Sequence, residues 1–167
     1  MSEVTVKMEF TFSEEAKKEI KEIMSHYPEK RSALIPLLHL AQKENGYLSE
    51  SVMRHVADVL DLTPIQVYEV ATFYSMFNLK PAGKYLLQVC HNLSCSLMGA
   101  DSLIDYLKEK LGIDIGETTP DNMFTIKTVE CLASCGTAPV MQVNDDYHEN
   151  LTKEKVDELI EQFRSSK

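Results

Sequence analysis

No apolar run in this chain approaches the roughly 18 residues of a membrane span, so no stretch reads as a helix buried in a bilayer. The first twelve residues alternate apolar and polar (Val4, Val6, Met8, Phe10, Phe12). They show neither the apolar segment of a signal peptide nor the arginine-rich character of a transit peptide, and the expected setting is cytoplasmic. Basic residues are scarce: 17 Lys and Arg stand against 26 Asp and Glu, for a formal net charge of −9. A nucleic-acid binder would carry a basic stripe, so this composition argues against one, and the acidic excess reads first as a source of solubility. The chain has no G-x-G-x-x-G, no P-loop and no G-x-S-x-G, hence no evident site for a nucleotide or for hydrolysis. It shows no internal repeat and no low-complexity segment. Cysteine is sparse too. There are four in 167 residues and none forms C-x-x-C, which weakens a thiol oxidoreductase reading. In the cytosol four thiols are poor candidates for structural disulfides.

What is present is concentrated. The four cysteines form two close pairs, Cys90 with Cys95 (C-x4-C) and Cys131 with Cys135 (C-x3-C), separated by 35 residues, 96–130. Four thiols with none left over suggest one site with four sulfur ligands. Hydrophobic residues make up 44% of the chain, ample for a buried core around such a site.

Residues 13–77 read as four helices. The first is capped by Ser13, has Glu14 and Glu15 in its first turn, and carries the stripe Ala16, Ile20, Ile23, Met24 and Tyr27 before Pro28. The second covers about 32–45, with Leu34, Leu37, Leu38 and Ala41 inward, Pro36 in its first turn and Gly46 at its end. The third covers about 50–60, capped by Ser49, with Val52, Val56, Val59 and Leu60 on one face. The fourth opens on Thr63-Pro64-Ile65-Gln66, a cap, a first-turn proline and a residue placed to close a capping box. Its stripe is Val67, Val70, Ala71, Tyr74 and Phe77. Short connections imply a small antiparallel helical bundle. The aromatics Tyr68, Tyr74 and Phe77 read mostly as core, whereas Phe73 lies off the stripe and suits a partner contact.

Residues 79–84 break the helical pattern and read as a linker, after which the period changes. A strand at 85–89 ends at Cys90. A helix over 97–111 has Leu97, Ala100, Leu103, Ile104 and Leu107 inward and Gly112 at its end. A second strand at 124–129 ends near Cys131. Two further strands, 139–143 and 147–151, flank a turn at 144–146, and a last helix starts near Thr152 with Val156, Leu159, Ile160 and Phe163 as its stripe. The second half is therefore an α/β layer fold in the order β-α-β-β-β-α.

Strand, helix, strand within one sheet implies a right-handed parallel crossover. Parallel strands end on one edge, so Cys90 and Cys131 should emerge together, with Cys95 and Cys135 in the loops beyond. Four cysteines arranged in this way suit a [2Fe–2S] cluster, with each pair on one iron, and they also suit a structural zinc. The spacing favours the cluster and leaves zinc open. Asn92, Ser94, Ser96, Ser134, Gly136 and Thr137 could offer polar groups around the sulfurs, while Leu93, Leu97, Met98, Leu132, Ala133 and Pro139 could exclude water. His91 adjoins Cys90, but a Rieske site needs two histidines, and only His148 follows it. His26, His39, His55, His91 and His148 all read as ordinary surface or core residues. A one-electron centre with no substrate chemistry of its own must exchange electrons with another protein.

The cysteine pattern, with Val-Tyr-Glu-Val-Ala-Thr-Phe-Tyr-Ser-Met-Phe (67–77), Gln-Val-Cys (88–90), Val-Glu-Cys-Leu-Ala-Ser-Cys-Gly-Thr-Ala-Pro (129–139) and Gln-Val-Asn-Asp-Asp-Tyr (142–147), resembles the complex I 24 kDa subunit family, known in bacteria as the E-type subunit of NADH-quinone oxidoreductase. The resemblance runs from about residue 12 to 163. It implies an N-terminal helical bundle (1–78) that docks a partner, a linker (79–84) and a thioredoxin-like [2Fe–2S] ferredoxin domain (85–167). It also implies Cys90, Cys95, Cys131 and Cys135 as the ligands of one cluster, and no independent catalytic site. The implied partner is the larger subunit that binds FMN, NADH and a [4Fe–4S] cluster, in a complex whose peripheral part lies on the cytoplasmic side of the inner membrane. The chain would exchange one electron between its own cluster and that flavin, off the main path to quinone. Equivalent subunits serve NAD-reducing hydrogenases and NAD-dependent formate dehydrogenases, and a zinc-stabilised adaptor is the rival from another class. In thioredoxin-like folds a cis-proline often precedes a strand near the active edge, and Pro139 is so placed. Four thiolates, two sulfides and two ferric irons carry a charge of 2−, and one electron makes it 3−. With an acidic chain, and only Lys84 and Lys127 near the strands, the potential is expected low within the roughly −700 to +450 mV known for such clusters.

Overall fold

A computed structural model of the chain describes residues 10–166. The N-terminal alternation noted above lies mostly outside the described residues. The chain divides into two compact units, Met1–Pro81 and Ala82–Lys167.

The first unit is helical: α1 (Glu14–Ser25), a 3-10 turn (Lys30–Ala33), α2 (Leu34–Asn45), α3 (Glu50–Leu60) and α4 (Pro64–Phe73). Each start has a local cause. The Ser13 hydroxyl accepts from the Ala16 N–H, and the Ser49 hydroxyl accepts from the Val52 N–H. Gln66 Oε1 accepts from both the N–H and the hydroxyl of Thr63 at 2.9 Å. At the end of α2, Gly46 sits at φ +82, the left-handed region that a glycine enters without a Cβ penalty. One apolar core joins Leu37, Leu38, Leu48, Val52, Val56, Leu60, Val67 and Phe77.

Two stripes are shorter than the periodicity predicts. Helix α1 ends at Ser25, so Tyr27 lies beyond it and is exposed. Helix α4 ends at Phe73, and Tyr74 is already extended at φ −90, ψ 121. Phe77 still reaches the core from the following turn, where its N–H donates to the Tyr74 carbonyl. Tyr68 and Tyr74 do not belong to the core: both are exposed, and Phe73, edge-on to Tyr74, is 79% exposed. Helical spacing identifies which aromatics share a face, but not whether anything covers that face.

The second unit is a four-stranded sheet with helices. Its elements are β1 (Tyr85–Cys90), α5 (Leu93–Leu97), α6 (Ala100–Leu111), β2 (Phe124–Val129), a 3-10 turn (Cys135–Thr137), β3 (Met141–Val143), β4 (Asp146–His148) and α7 (Lys153–Ser165). The strand order is β2-β1-β3-β4. Strands β1 and β2 are parallel, in a register that pairs Tyr85 with Phe124 and Cys90 with Val129, while β3 and β4 are antiparallel to their neighbours. Leu87, Phe124, Ile126, Met141, Leu107, Val156 and Ile160 form the core between sheet and helices. A smaller cluster at the C-terminal end of β1 holds Cys90, Cys95, Ala100, Val129, Ala138 and Val140.

The helix expected over 97–111 is two helices. Gly99, at φ +96, breaks the run and separates the single turn α5 from α6. Leu97 falls on the wrong side of that break and is 77% exposed, not inward. Strands β3 and β4 are shorter than expected because Pro139 has no N–H for a ladder and the two-residue turn Asn144-Asp145 brings β4 in early. The Ala138–Pro139 bond is cis, as its place ahead of β3 suggests. Among the described residues no helix is long and apolar enough to cross a membrane.

Candidate metal centre

The parallel pair β1 and β2 delivers the first half of the site. Cys90 is the last residue of β1, and its N–H donates to the Val140 carbonyl at 3.1 Å. His91 then donates its N–H to the Val129 carbonyl at 3.2 Å, which holds the two strand ends level where the chain turns away. Across those ends His91 Nε2 lies 3.6 Å from Glu130 Oε1, an ion pair whenever the imidazole is protonated. Asn92 stops the turn from unravelling: it is the N-cap of α5 and its Oδ1 accepts from the Leu93 N–H at 2.7 Å.

Cys95 is in the middle of α5 and not in a loop as the spacing suggests. That single turn folds it back under Ala100 and against Cys90, so both thiols are buried, Cys95 to 2% exposure. Burial pushes the Cys95 thiol up, a hydrogen bond with Cys90 pushes it further, and contact with the Val140 backbone pulls it down. Charge on Cys90 and Cys135 adds to the rise.

The second pair is built differently. Cys131 and Cys135 are both exposed. Ala133 between them stands at φ +56, a left-handed conformation unusual for a residue with a Cβ. In that conformation its N–H donates to Cys131 Sγ at 3.2 Å. Such an N–H is the kind of donor that stabilises sulfur-borne charge. Cys135 opens a 3-10 turn, closed by the Thr137 N–H on the Ser134 carbonyl at 3.1 Å. All four cysteines are free, and the two pairs reach the same end of the sheet. By type, four free thiols are the donors that a two-iron cluster takes, two to each iron. Among the described residues no three His, Cys, Asp or Glu side chains are gathered tightly enough to grip one metal ion.

The polar residues around the pairs have jobs other than those the spacing suggests. The Ser96 hydroxyl donates to Asp101 Oδ2 at 2.5 Å. The Ser134 hydroxyl and the Thr137 hydroxyl (2.8 Å) both donate to Glu149 Oε1. These hydroxyls hold loops in place. Leu93, Leu97 and Met98, expected to exclude water, are exposed, while Ala138, Pro139 and Val140 are buried beneath the site. Lys84, at the start of β1, bonds the Ser166 carbonyl and lies over the Tyr85 ring, at the far end of the strand from Cys90. Lys127 stands mid-strand opposite Gln88, and burial pulls its ammonium down. Glu130 directly precedes Cys131 in the chain, and Glu149 accepts from Ser134 and Thr137 on either side of Cys135. Tyr147, whose hydroxyl donates to the Leu132 carbonyl at 3.1 Å, appears in the sequence only as the last residue of the 142–147 motif, and Glu149 is not singled out at all. The signal that could have found Glu149 is position, just past a hairpin that follows the second cysteine pair.

The comparisons agree with one another. A family model described as thioredoxin-like [2Fe–2S] ferredoxin matches residues 20–164. An E-type subunit of NADH-quinone oxidoreductase from Rhizobium meliloti (strain 1021), the second of that type by its name, is 49% identical over 150 residues, covering 90% of this chain and 89% of that protein. The E-type subunit from Rickettsia felis (strain ATCC VR-1525 / URRWXCal2) is 47% identical, over 92% and 94%. Its counterpart from Rickettsia typhi (strain ATCC VR-144 / Wilmington) is 45% identical over 98% of both chains. In fold, the chain resembles the crystal structure of an NAD+-reducing [NiFe]-hydrogenase in the air-oxidized state, with a TM-score of 0.67 at 21% identity. That match covers 77% of this chain and only 23% of the hydrogenase chain.

Proposed function

This chain belongs to the thioredoxin-like [2Fe–2S] ferredoxin family, and from that premise we propose that Cys90, Cys95, Cys131 and Cys135 hold its cluster. Cys90 with Cys95 would ligate one iron, and Cys131 with Cys135 the other. The observation that carries the assignment is the parallel register of β1 and β2, which brings both cysteine pairs to one end of one sheet. When bound, such a cluster accepts and returns a single electron. The chain's residues supply the rest. Cys90 and Cys95 anchor from inside the fold, and Ala133 donates an N–H to the Cys131 sulfur. Ala138, Pro139 and Val140 keep water from the inner side, while the exposed Cys131 and Cys135 leave the outer side open to a redox partner.

The function is electron transfer as a subunit of NADH:quinone oxidoreductase. Relatives so named match at 45% to 49% identity over nearly the whole of both chains. Its partner in this reading is the larger flavoprotein subunit that carries FMN, NADH and a [4Fe–4S] cluster, with Cys131 and Cys135 turned toward the flavin. Residues 1–78 dock on that subunit, and the exposed Phe73 is the leading contact. The assembly stands on the cytoplasmic side of the inner membrane. The likeness to a hydrogenase chain favours a second setting for the same fold, an NAD+-reducing hydrogenase.

Iron and acid-labile sulfide analysis of anaerobically purified protein is expected to give about two of each per chain. Dithionite reduction should yield an EPR signal of one spin, and Cys→Ala at any one of the four positions should abolish it. Colourless protein binding a single zinc would refute the assignment. A normal signal in a Cys131→Ala variant would remove that residue from the ligand set.

A further inference from the structure

We propose that Glu149, assisted by Tyr147, is a positioning residue for the loop at 131–137, and that its carboxylate holds down the potential of the centre which that loop ligates. The inference rests on the reading of Cys131 and Cys135 as ligands.

The loop leaves the sheet after β2 and does not rejoin it until β3, and both its cysteines are exposed. Inside, it has the Ala133 N–H on the Cys131 sulfur, the Thr137 N–H on the Ser134 carbonyl, and the Thr137 hydroxyl 3.2 Å from that carbonyl and 2.7 Å from the Ser134 hydroxyl. Further bonds come from one external segment. Tyr147 donates its hydroxyl to the Leu132 carbonyl, and the Asn150 N–H donates to the Thr137 carbonyl at 2.7 Å. Glu149 Oε1 accepts from Ser134, which lies between the two cysteines, and from Thr137, which follows the second. Tyr147 lies in β4 and Glu149 just past its end, two residues on, a spacing that along a strand puts two side chains on one face. That face is turned to the cysteine loop.

Glu149 is itself exposed, so no need of the core explains it. The two hydroxyls hold its carboxyl below the usual carboxylate range, so it is charged at neutral pH. Bonds from an ionised acceptor are about twice as strong as neutral ones. A fixed negative charge beside the loop disfavours the further negative charge that reduction adds, and so lowers the potential. One carboxylate thus both shapes the loop and biases the electron.

The two parts separate in two variants of the full chain. Glu149→Gln retains a carbonyl oxygen for Ser134 and Thr137 but loses the charge. It should keep the cluster at wild-type occupancy with the midpoint potential shifted positive. Glu149→Ala loses both, and should shift the potential, alter the EPR line shape and release iron to a chelator roughly 10- to 100-fold faster. If both variants match wild type in potential, line shape and iron release, the proposal is wrong. Should Glu149→Ala fail to fold, Glu149→Gln decides alone: an unshifted potential overturns the electrostatic part and with it the proposal. A wild-type chain that takes up no cluster would instead overturn the ligand assignment, a different failure.

Discussion

At Gly83 the chain passes so close to its neighbour that only hydrogen fits. A Cβ built there would stand 2.9 Å from both the Met123 carbonyl carbon and the Phe124 nitrogen, backbone atoms that cannot swing aside. The Gly83 N–H meanwhile donates to Thr125 Oγ1 at 2.7 Å. Gly83→Ala should therefore force β1 away from β2 and destabilise the protein by about 1–3 kcal/mol, as overpacking does. A lowered urea midpoint with an unchanged slope would register it. The sequence marks Gly83 only as part of a break, because close approach is a property of two segments and not of one. The cysteines are the opposite case. Their chemistry is carried by residue type, so they can be found without a fold, whereas Glu149 is one of 26 acidic residues and gains its meaning only from the two hydroxyls it meets.

Between elements, α6 and α7 are joined at their polar margin by Asp157. It accepts from the Tyr106 hydroxyl at 2.6 Å and from Lys110 Nζ at 2.5 Å. Those bonds, Lys110 first, hold its carboxyl below the usual carboxylate range. A depressed folded-state value contributes stability above the unfolded value, about 3.9, that is lost as pH falls through the folded one. Asp157→Asn should therefore lower stability at neutral pH and flatten the loss of stability on acidification below about pH 4. Thermal melts of both proteins across that range would test this, and parallel acid limbs would contradict it. Element boundaries are legible in the sequence where a capping residue sets them, as at Ser13, Ser49, Thr63, Gly46 and Gly112. They are misplaced where apolar periodicity runs across a break. Leu97 fits the stripe of α6 in sequence, but Gly99 turns the chain between them. That break also makes α5 a separate turn, which is why Cys95 sits on a helix and is buried.

Over the whole molecule, the two units have separate apolar cores, and all four cysteines lie in the second. We expect a fragment spanning 82–167 to fold and to take up the cluster by itself, with the EPR signal of the full chain. A fragment that stays colourless would mean that the helical unit takes part in building the site. Under the same reading, Phe73→Ala should leave the isolated chain's stability within about 0.5 kcal/mol, as for an exposed position. It should weaken co-purification with the flavoprotein subunit, and unaltered co-purification would remove Phe73 from the interface. The α/β class and the parallel pairing of β1 and β2 follow from strand, helix, strand. The antiparallel additions β3 and β4 are legible as a hairpin but not as a brace, since a sequence does not say what the far side of a hairpin touches.

The brace carries a consequence for how this sequence can vary. Surface turns between strands ordinarily accept an extra residue at little cost. At Asn144-Asp145 a single insertion would slide β4 by one place and turn Tyr147 to the opposite face. Its hydroxyl would leave the Leu132 carbonyl, and the carboxylate two positions on would leave Ser134 and Thr137 with it. The length of that small turn is in effect fixed from a distance, by the loop it reaches across to hold.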